Sequence, residues 1–569
     1  MTDNAAPGRE DTEIADDRWR DRYPRAAWAA RWTTTALAAV LVHVALLLPN
    51  QLTHLAPGAF ARIPLEGIFG AAVLLALAPR PRRVVAAVAG ATLGVLTLLK
   101  LLDMGFYSIL DRPFDLVLDW LLVANAVEFL GESVGQVGAL AAAVGAVLVA
   151  LVLPVLMALA VVRLSHLMVD HRPVATRTAL ILGTAWMICV TLGVQIADVS
   201  VATKNTSAIV RNRVHDVDAA LKDRQAFARQ STVDAFADTP ADRLLTGLRG
   251  KDVIVAFVES YGRSAVKDPQ LASRVRATLT DGTSRLRAAG FSSRSAFLTS
   301  PATGAGSWLA HSTFMSGLWI KSEQRYRTVT TRERLTLTGA FRRTDAWRTV
   351  GILPGTTRTW PEGKFYEFDR IYDARHLGYE GAPYGWSGIP DQYTLSAFER
   401  LERSAPGRKP LMAEIVLTSS HNPWVPLPEM VSWDEAADGS VYDAMRKADK
   451  DAEDTRNDAD RVRTAYARSI AYSVESLVSY VETYGDDNTV LVFLGDHQPV
   501  PTVTRHDPSR DVPISIVARD KKVLDRISGW GWQDGLEPHP DAPVWRMDTF
   551  RDKFLTAYGP RPGSTAPGP

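Results

Sequence analysis

The sequence predicts a helical transmembrane region followed by an α/β domain with a mainly parallel central sheet. Two observations lead to this fold class. From about Thr33 to Ala197 the chain is dominated by Ala, Leu and Val, whereas beyond Lys204 it has the mixed composition of a soluble domain. In this second part, short apolar runs alternate with helical patterns, which is typical of a parallel sheet covered by crossover helices. The length of 569 residues also favours two or more domains.

The apolar part predicts about five transmembrane helices within residues 33–197, preceded by a tail of residues 1–32. A membrane-spanning helix needs about 20 mostly apolar residues. Five stretches approach this length, and no small-residue cleavage site of a signal peptide follows the first of them. They are Thr33–Leu48, Phe60–Ala78, Val84–Leu102, Val137–Val162 and Thr178–Ala197.

The distribution of basic residues predicts the orientation in the membrane. The tail 1–32 and the loops after the second and fourth spans each carry several arginines. The segment Asp103–Gln136 instead contains six Asp and Glu residues, with Arg112 as its only basic residue. The basic segments should therefore be cytoplasmic, and an odd number of spans places the chain beyond Ala197 outside the cytoplasm.

The remainder of the chain divides into a helical connector at 198–247, the α/β domain at 248–558 and a disordered Pro- and Gly-rich tail at 559–569. Asp460–Tyr484 has the apolar spacing of a helix. The net charge of +1 gives no indication of nucleic-acid binding, and a single cysteine, Cys189, leaves the outer domain without disulfides. The predicted strands are Asp252–Val258, Ser293–Thr299, Trp347–Leu353, Leu411–Leu417, Thr489–Leu494 and Val512–Ala518.

Polar side chains follow several of these strands at the edge where ligands of open parallel sheets gather. Glu259 follows the first strand, and Asp496 with His497 follows the fifth. Carboxylate oxygen and imidazole nitrogen together can bind one divalent ion. The alternatives are an ordinary strand-end glutamate and a turn with a capping aspartate.

A Gly-rich loop, SPATGAGSWLAHSTFMSG, places Ser307 near the N-terminus of a predicted helix. The free N–H groups and the helix dipole stabilise anions there and help to activate a hydroxyl as a nucleophile. Thr303 and Ser312 are competing hydroxyls in the same stretch, and Ser307 as a simple N-cap is the alternative.

His421 follows the strand Leu411–Leu417 within IVLTSSHNPWVPLP. A histidine at this position can donate a proton to a phosphate oxygen or a leaving group. The alternative is a structural histidine in a loop stiffened by its neighbouring prolines.

Four segments carry these residues, in the chain order Glu259, Ser307, His421 and Asp496–His497. Together and in this order, they resemble the alkaline phosphatase/sulfatase superfamily, and more narrowly its lipoteichoic acid synthase branch. The resemblance covers the architecture of the whole chain, with its specific motifs between Asp252 and Val500. It implies an extracytoplasmic, alkaline phosphatase-like domain. Such a domain holds one divalent ion and uses a hydroxyl nucleophile to move phosphoglycerol from a lipid.

The resemblance also implies roles for individual residues. Ser307 falls on the nucleophile and His421 on the histidine that contacts substrate. TWPEGKFYEFDRIYD resembles the aromatic and basic substrate segment, which suggests Trp360 as a contact, and GWSGIPDQ places Asp391 where a further polar site residue is expected. The implied metal ligands are Glu259, Ser307, Asp496 and His497.

The chain also departs from the family patterns. Its nucleophile is Ser instead of Thr, and one residue is missing between the glycine and the hydroxyl. The arginine that follows the tryptophan in the synthases has no clear equivalent, since Arg358 and Lys364 are only nearby. None of the four site segments contains the C/S-x-P-x-R motif of sulfatases, which disfavours sulfate-ester hydrolysis. Phosphoethanolamine transferases usually carry disulfides in their outer domain, which this chain cannot form.

The resulting expectation is a membrane-anchored phosphotransferase that acts on phosphodiester head groups of envelope lipids or polymers. Mn²⁺ is the expected ion, with Zn²⁺ or Mg²⁺ as alternatives, and the expected partner is a membrane lipid or a lipid-linked envelope polymer. The sequence does not indicate an oligomeric state. The alternatives are a phosphodiesterase with water as acceptor and a non-catalytic domain that binds an anionic envelope polymer.

Overall fold

The structure is a computed structural model that describes residues 22–192, 195–196, 199–200, 202–203, 205–448, 458–505, 507 and 509–560. Most of the predicted tails, at 1–21 and 561–569, therefore lies outside the described residues. The chain divides into two compact units. The first comprises Met1–Tyr107 and Arg112–Ala220, and the second comprises Ser108–Asp111 and Leu221–Pro569.

The first unit is helical in its described part. Its helices are α1 Pro24–Leu47, α2 Leu65–Ala76, α3 Pro79–Leu110, α4 Trp120–Asp170 and α5 Arg172–Leu192, followed by α6 Asn205–Gln230, which ends in the second unit. Two-residue strands pair as β1 Ile63–Pro64 with β4 Ala202–Thr203 and as β2 Gln195–Ile196 with β3 Val199–Ser200.

Four helices among the described residues are long and apolar enough to cross a membrane: Pro24–Leu47, Pro79–Leu110, Val137–Asp170 and Arg172–Leu192. The remaining predicted span, Phe60–Ala78, corresponds to α2, which has only 12 residues. At about 1.5 Å per residue such a helix is shorter than the hydrocarbon core of about 30 Å. Pro64 precedes this helix and Pro79 opens the next one, so prolines bound it on both sides. The number of spans stays a prediction.

The second unit is an α/β domain in which helices and strands alternate. Its helices are α7 Ser264–Lys267, α8 Pro269–Ala288, α9 Ser307–Ser316, α10 Glu323–Thr330, α11 Leu337–Arg343, α12 Asp391–Phe398, α13 Tyr442–Ala448, α14 Ala459–Tyr484, α15 Pro501–Thr504, α16 Lys521–Asp525 and α17 Phe550–Ala557. Its strands are β5 Asp252–Val258, β6 Ser292–Thr299, β7 Arg348–Leu353, β8 Arg370–Asp373, β9 Leu411–Leu417, β10 Thr489–Gly495, β11 Asp511–Ala518, β12 Gln533–Asp534 and β13 Val544–Arg546.

All six predicted strands are present, with ends shifted by at most one residue. In the described part of the chain they belong to a nine-stranded sheet of order β12-β6-β11-β10-β5-β9-β7-β8, with β13 beside β6. The neighbours from β10 through β5, β9 and β7 to β8 are parallel. β11 runs antiparallel to both β10 and β6. The predicted fold class, apolar N-terminal helices followed by an α/β domain with a mainly parallel sheet, is confirmed.

Apolar side chains cover both faces of the sheet. Ile254, Ala256 and Val258 of β5 belong to one buried cluster, while the alternate residues of the strand belong to the other. Helices α8 and α14 lie on the first face, and α9, α11 and α17 lie on the second. The continuous apolar runs in the sequence reflect this burial on both sides.

Candidate active site

Three of the predicted site residues follow two adjacent parallel strands. Glu259 comes directly after β5, and Asp496 with His497 comes directly after β10. Val258 is paired in register with Gly495, so the chain emerges from both strands at the same level of the sheet edge. This register brings the three side chains together.

Close backbone packing supports this arrangement. A Cβ atom on Gly495 would lie 1.9 Å from the carbonyl oxygen of Tyr261, so only glycine fits between the two strand ends. Ser260 has a φ of 56°, in the left-handed region that is unfavourable for residues other than glycine. Its N–H donates to Asp496 Oδ1 at 2.8 Å, and its hydroxyl donates to Glu259 Oε1 at 2.8 Å. The strained conformation thus lets one residue orient both carboxylates.

The carboxylates and the imidazole form a compact buried cluster. His497 Nε2 lies 3.3 Å from Glu259 Oε1 and 3.8 Å from Asp496 Oδ2. One ligand atom from each of these residues lies within 4.8 Å of the other two. Asp496 and His497 are 0% and 1% exposed, so the cluster is shielded from bulk water.

Ser307 is the first residue of α9, and its hydroxyl joins the cluster. The oxygen donates to Glu259 Oε2 at 2.8 Å and lies 3.2 Å from His497 Nε2. Gly306 caps the helix with a φ of 92°, which turns the chain sharply before Ser307. The loop is tied to the other strand end because Gly304 N–H donates to the carbonyl of Gln498 at 2.8 Å. The cluster therefore surrounds a hydroxyl at a helix N-terminus.

The surroundings shift the pKa values of the two carboxylates in opposite directions. Burial would raise the pKa of Glu259, but the charges of His497 and His421 and hydrogen bonds to Asp496 and Ser307 lower it overall. Burial, followed by the charge of Glu259, raises the pKa of Asp496. Two carboxyl groups this close together do not both ionise readily unless a cation offsets their charges.

The residues present fit a divalent ion. Asp496 Oδ2 is buried and has no hydrogen-bond partner among the described residues. His497 Nδ1 lies 2.8 Å from the carbonyl oxygen of Gln498, which fixes the proton on that nitrogen and leaves the lone pair of Nε2 directed at the cluster. Carboxylate oxygens with one imidazole nitrogen suit Mn²⁺, Mg²⁺ or Zn²⁺.

His421 lies after β9, the strand next to β5, and its charge lowers the pKa of Glu259. Its Nδ1 is 2.5 Å from the carbonyl oxygen of Asn422, and its ring stacks on Trp386 with centroids 4.4 Å apart. These contacts hold the ring in one orientation, and no hydrogen bond from Nε2 to another described residue is present.

Asp391 does not lie where a substrate could contact it. Its side chain is 0% exposed, and Oδ1 accepts the N–H groups of Thr418 and Ser419 at 2.8 and 2.9 Å. Oδ2 accepts the hydroxyl of Ser473 at 2.6 Å. The prediction of a substrate contact is wrong, because this carboxylate instead holds the loop that carries His421.

We therefore expect Asp391→Ala to destabilise the fold. It would leave two backbone N–H groups without an acceptor and the Ser473 hydroxyl with only the carbonyl of Ser469, which costs about 3 kcal/mol of unfolding free energy. Thermal unfolding of the variant tests this, with Asp391→Asn as a control that keeps one acceptor oxygen. A variant with unchanged thermal stability but a raised KM would restore the substrate role.

The remaining predicted residues lie within α9 or near it. Trp360 is half-buried, donates from its indole to the hydroxyl of Tyr326 at 3.1 Å, and packs on Tyr366. Its substrate contact stays a prediction. Thr303 forms a β-bridge with Gln498, and Ser312 is buried against Tyr366. Neither competing hydroxyl has a hydrogen bond to Glu259 or His497 in the described structure.

Sequence reasoning missed three residues next to this cluster: Ser260, His311 and Glu414. A signal was present for two of them. Glu414 interrupts the apolar strand LMAEIVL, and His311 lies four residues after Ser307, which places both on one helix face. Ser260 carried no signal, because its backbone angle is not readable from the sequence.

No protein-family model and no curated protein matches the chain. Solved structures match its fold. The lipoteichoic acid synthase LtaP from Listeria monocytogenes is 14% identical. The alignment covers 60% of this chain and 79% of LtaP, with a TM-score of 0.38. A protein in the alkaline phosphatase superfamily from Vibrio parahaemolyticus is 15% identical, covering 59% and 75%, with a TM-score of 0.35.

The phosphoglycerol transferase GacH from Streptococcus pyogenes, in complex with sn-glycerol-1-phosphate, is 11% identical, covers 59% of this chain and 91% of its own, and gives a TM-score of 0.35. The matched names include the synthase and the superfamily that the sequence motifs resemble. With TM-scores below 0.5, these likenesses assign no activity. The chemistry proposed below rests on the residues of the site.

Proposed function

We propose that the chain is a membrane-anchored, metal-dependent phosphotransferase that acts on phosphodiester head groups of envelope lipids or polymers. The observation that carries this proposal is the Ser307 hydroxyl, which lies at a helix N-terminus within hydrogen-bonding distance of both Glu259 and His497. An activated hydroxyl beside an anion-stabilising helix end suits attack on phosphorus.

The metal ligands would be Glu259, Asp496, His497 and Ser307. A divalent ion there, Mn²⁺ in our proposal with Zn²⁺ or Mg²⁺ as alternatives, supplies positive charge that lowers the pKa of the Ser307 hydroxyl and neutralises phosphate charge. Glu259 Oε2 accepts the hydrogen bond of the Ser307 hydroxyl and can take up its proton as Oγ attacks phosphorus. The first N–H groups of α9 stabilise the phosphate oxygens.

The reaction follows in two displacements. Ser307 Oγ gives its proton to Glu259 Oε2 and bonds to phosphorus while the bond from phosphorus to the lipid oxygen breaks, and that oxygen takes a proton from His421 Nε2. An acceptor hydroxyl then attacks phosphorus and gives its proton to His421, while the bond to Ser307 breaks and Oγ takes its proton back from Glu259. With water as acceptor, the same residues perform hydrolysis.

The location of this reaction is also part of the proposal. The described helices include four that could cross a membrane, and the arginine-rich loops predict that residues beyond Ala197 lie outside the cytoplasm. A catalytic domain joined to such helices is tethered to the membrane. This placement favours a membrane lipid or a lipid-linked envelope polymer as the partner.

The full-length chain in detergent with a fluorescent glycerophospholipid tests the proposal. We expect head-group release that is lost in EDTA and restored by added Mn²⁺. Release unaffected by EDTA would contradict metal dependence, and product analysis with and without a hydroxyl acceptor separates transfer from hydrolysis.

We expect His421→Gln to lower kcat by about 10²- to 10⁴-fold, the usual contribution of a general acid or base. The metal Kd should not change, because His421 is not a ligand in this proposal. His376→Gln is the matched control, since that exposed histidine is paired with Asp373. A kcat equal to that of the wild type would remove His421 from the mechanism.

A further inference from the structure

Two buried polar side chains beneath the cluster have no part in the proposed reaction. His311 lies on α9, one turn after Ser307, and Glu414 lies in the middle of β9. The imidazole Nδ1 is 3.6 Å from Glu414 Oε1, and Nε2 is 4.0 Å from Asp496 Oδ2. The imidazole thus lies between a buried acid and a proposed metal ligand, at separations longer than a hydrogen bond.

One polar atom of each of these three side chains has no hydrogen-bond partner among the described residues. His311 Nε2, Asp496 Oδ2 and Glu414 Oε2 are all buried without a hydrogen-bond partner among the described residues. A buried polar atom without a partner costs about 1–3 kcal/mol, so three of them at one place point to a functional constraint.

The ring of His311 is held by the sheet. It stacks on Phe257 of β5, with centroids 3.9 Å apart and an interplanar angle of 25°. Ser307 and His311 share one face of α9. The stacking of His311 on Phe257 therefore also helps to fix the distance between Ser307 and the sheet.

Glu414 is unusual for its position. It is 2% exposed and is paired in register with Val255 of β5 and Gly351 of β7, in the interior of the parallel sheet. Burial raises the pKa of Glu414 to about 8, so at neutral pH the carboxyl keeps its proton. A neutral acid can donate a hydrogen bond to His311 Nδ1, which leaves the single N–H of the neutral imidazole on Nε2, facing Asp496.

We propose that Glu414 and His311 are positioning residues that act in series on Asp496, with Glu414 fixing the tautomer of His311 and His311 directing the N–H of Nε2 at Asp496 Oδ2. This inference rests on the proposed function, because Asp496 is a metal ligand only there. Outer partners that orient a ligand typically change metal affinity by about 10- to 100-fold. The pair also ties the ligand to the helix that presents Ser307.

Titration of the metal-free, full-length chain with Mn²⁺ tests the pair. We expect Glu414→Leu and His311→Leu to raise the Mn²⁺ Kd by about 10- to 100-fold. Glu414→Gln, whose amide can donate to Nδ1, and His311→Gln, whose amide can reach the position of Nε2, should stay within about threefold of the wild type.

Thermal unfolding distinguishes positioning from a structural role. Leucine suits the apolar surroundings of residue 414 better than a carboxyl does, so Glu414→Leu should raise the Tm of the metal-free chain while it weakens Mn²⁺ binding. A merely structural residue would lose both together.

Three other outcomes would contradict either the positioning role or the proposed function. An unchanged Mn²⁺ Kd in both leucine variants overturns the positioning role. Binding of two ions per chain, reduced to one in His311→Leu, also overturns it, because His311 would then be a ligand. A wild-type chain that binds no Mn²⁺, Zn²⁺ or Mg²⁺ contradicts the proposed function itself.

Discussion

Ser307→Ala is expected to lower kcat by at least about 10³-fold, since removal of a nucleophile leaves only binding and electrostatic contributions to the rate. The metal Kd should rise by far less than kcat falls, because Glu259, Asp496 and His497, three of the four proposed ligands, keep their positions. The variant should fold normally, since Ser307 is only partly buried and begins its helix. Head-group release and Mn²⁺ titration on the same preparation measure both quantities.

Two matched controls are available on the same segment. Thr303→Ala and Ser312→Ala remove the neighbouring hydroxyls, which have no hydrogen bond to the carboxylate–imidazole cluster in the described structure. Thr303→Ala should keep near-wild-type turnover, and Ser312→Ala should retain far more activity than Ser307→Ala. Loss of turnover in Thr303→Ala with activity retained in Ser307→Ala would move the nucleophile to residue 303.

Asp496→Asn is expected to weaken Mn²⁺ binding by at least about 100-fold, beyond the typical effect of an outer residue, and to abolish metal-dependent turnover. The amide keeps one oxygen for the N–H groups of Ser260 and His497, which Oδ1 accepts at 2.8 and 2.7 Å. It replaces the unpartnered Oδ2 with a group that cannot bind a cation. The expected loss is therefore specific to the metal.

The same substitution should stabilise the metal-free chain at neutral pH. Burial and the neighbouring Glu259 raise the pKa of Asp496, so the folded chain binds its proton more tightly than the unfolded chain. Stability is then lost as pH rises above the ordinary Asp pKa of about 4, and asparagine cannot ionise. Unfolding in EDTA at pH 4 and pH 7 measures this. A destabilised Asp496→Asn at pH 7 would contradict the predicted burial of unneutralised charge.

The parts of the site that could be predicted from the sequence are those marked by a local pattern, such as a polar residue that directly follows an apolar strand. Glu259 and the Asp496–His497 pair are visible because each ends a continuous apolar strand, and the parallel sheet then brings strand ends together. The loop before Ser307 is visible through its glycines. These signals are local, and they gave the strand boundaries to within one residue.

The parts that depend on cross-strand and helix–sheet packing could not be predicted in the same way. His311 approaches Glu414 only because α9 packs over β5 and β9, and that packing is not a property of either segment alone. Asp391 was expected at the substrate from the family resemblance, but it begins α12 and its buried carboxylate accepts the N–H of Thr418 in the segment before His421. The second apolar span was expected at membrane length, but the helix there is bounded by prolines.

The most direct measurement is the site of the covalent intermediate. The full-length chain is mixed with a glycerophospholipid that it turns over, quenched within one turnover, and fragmented for mass spectrometry. The account predicts the mass of the head-group phosphate on Ser307, lost in Ser307→Ala and retained in Thr303→Ala. Turnover with the adduct on Thr303 or Ser312, or with no adduct under conditions that accumulate an intermediate, would contradict it.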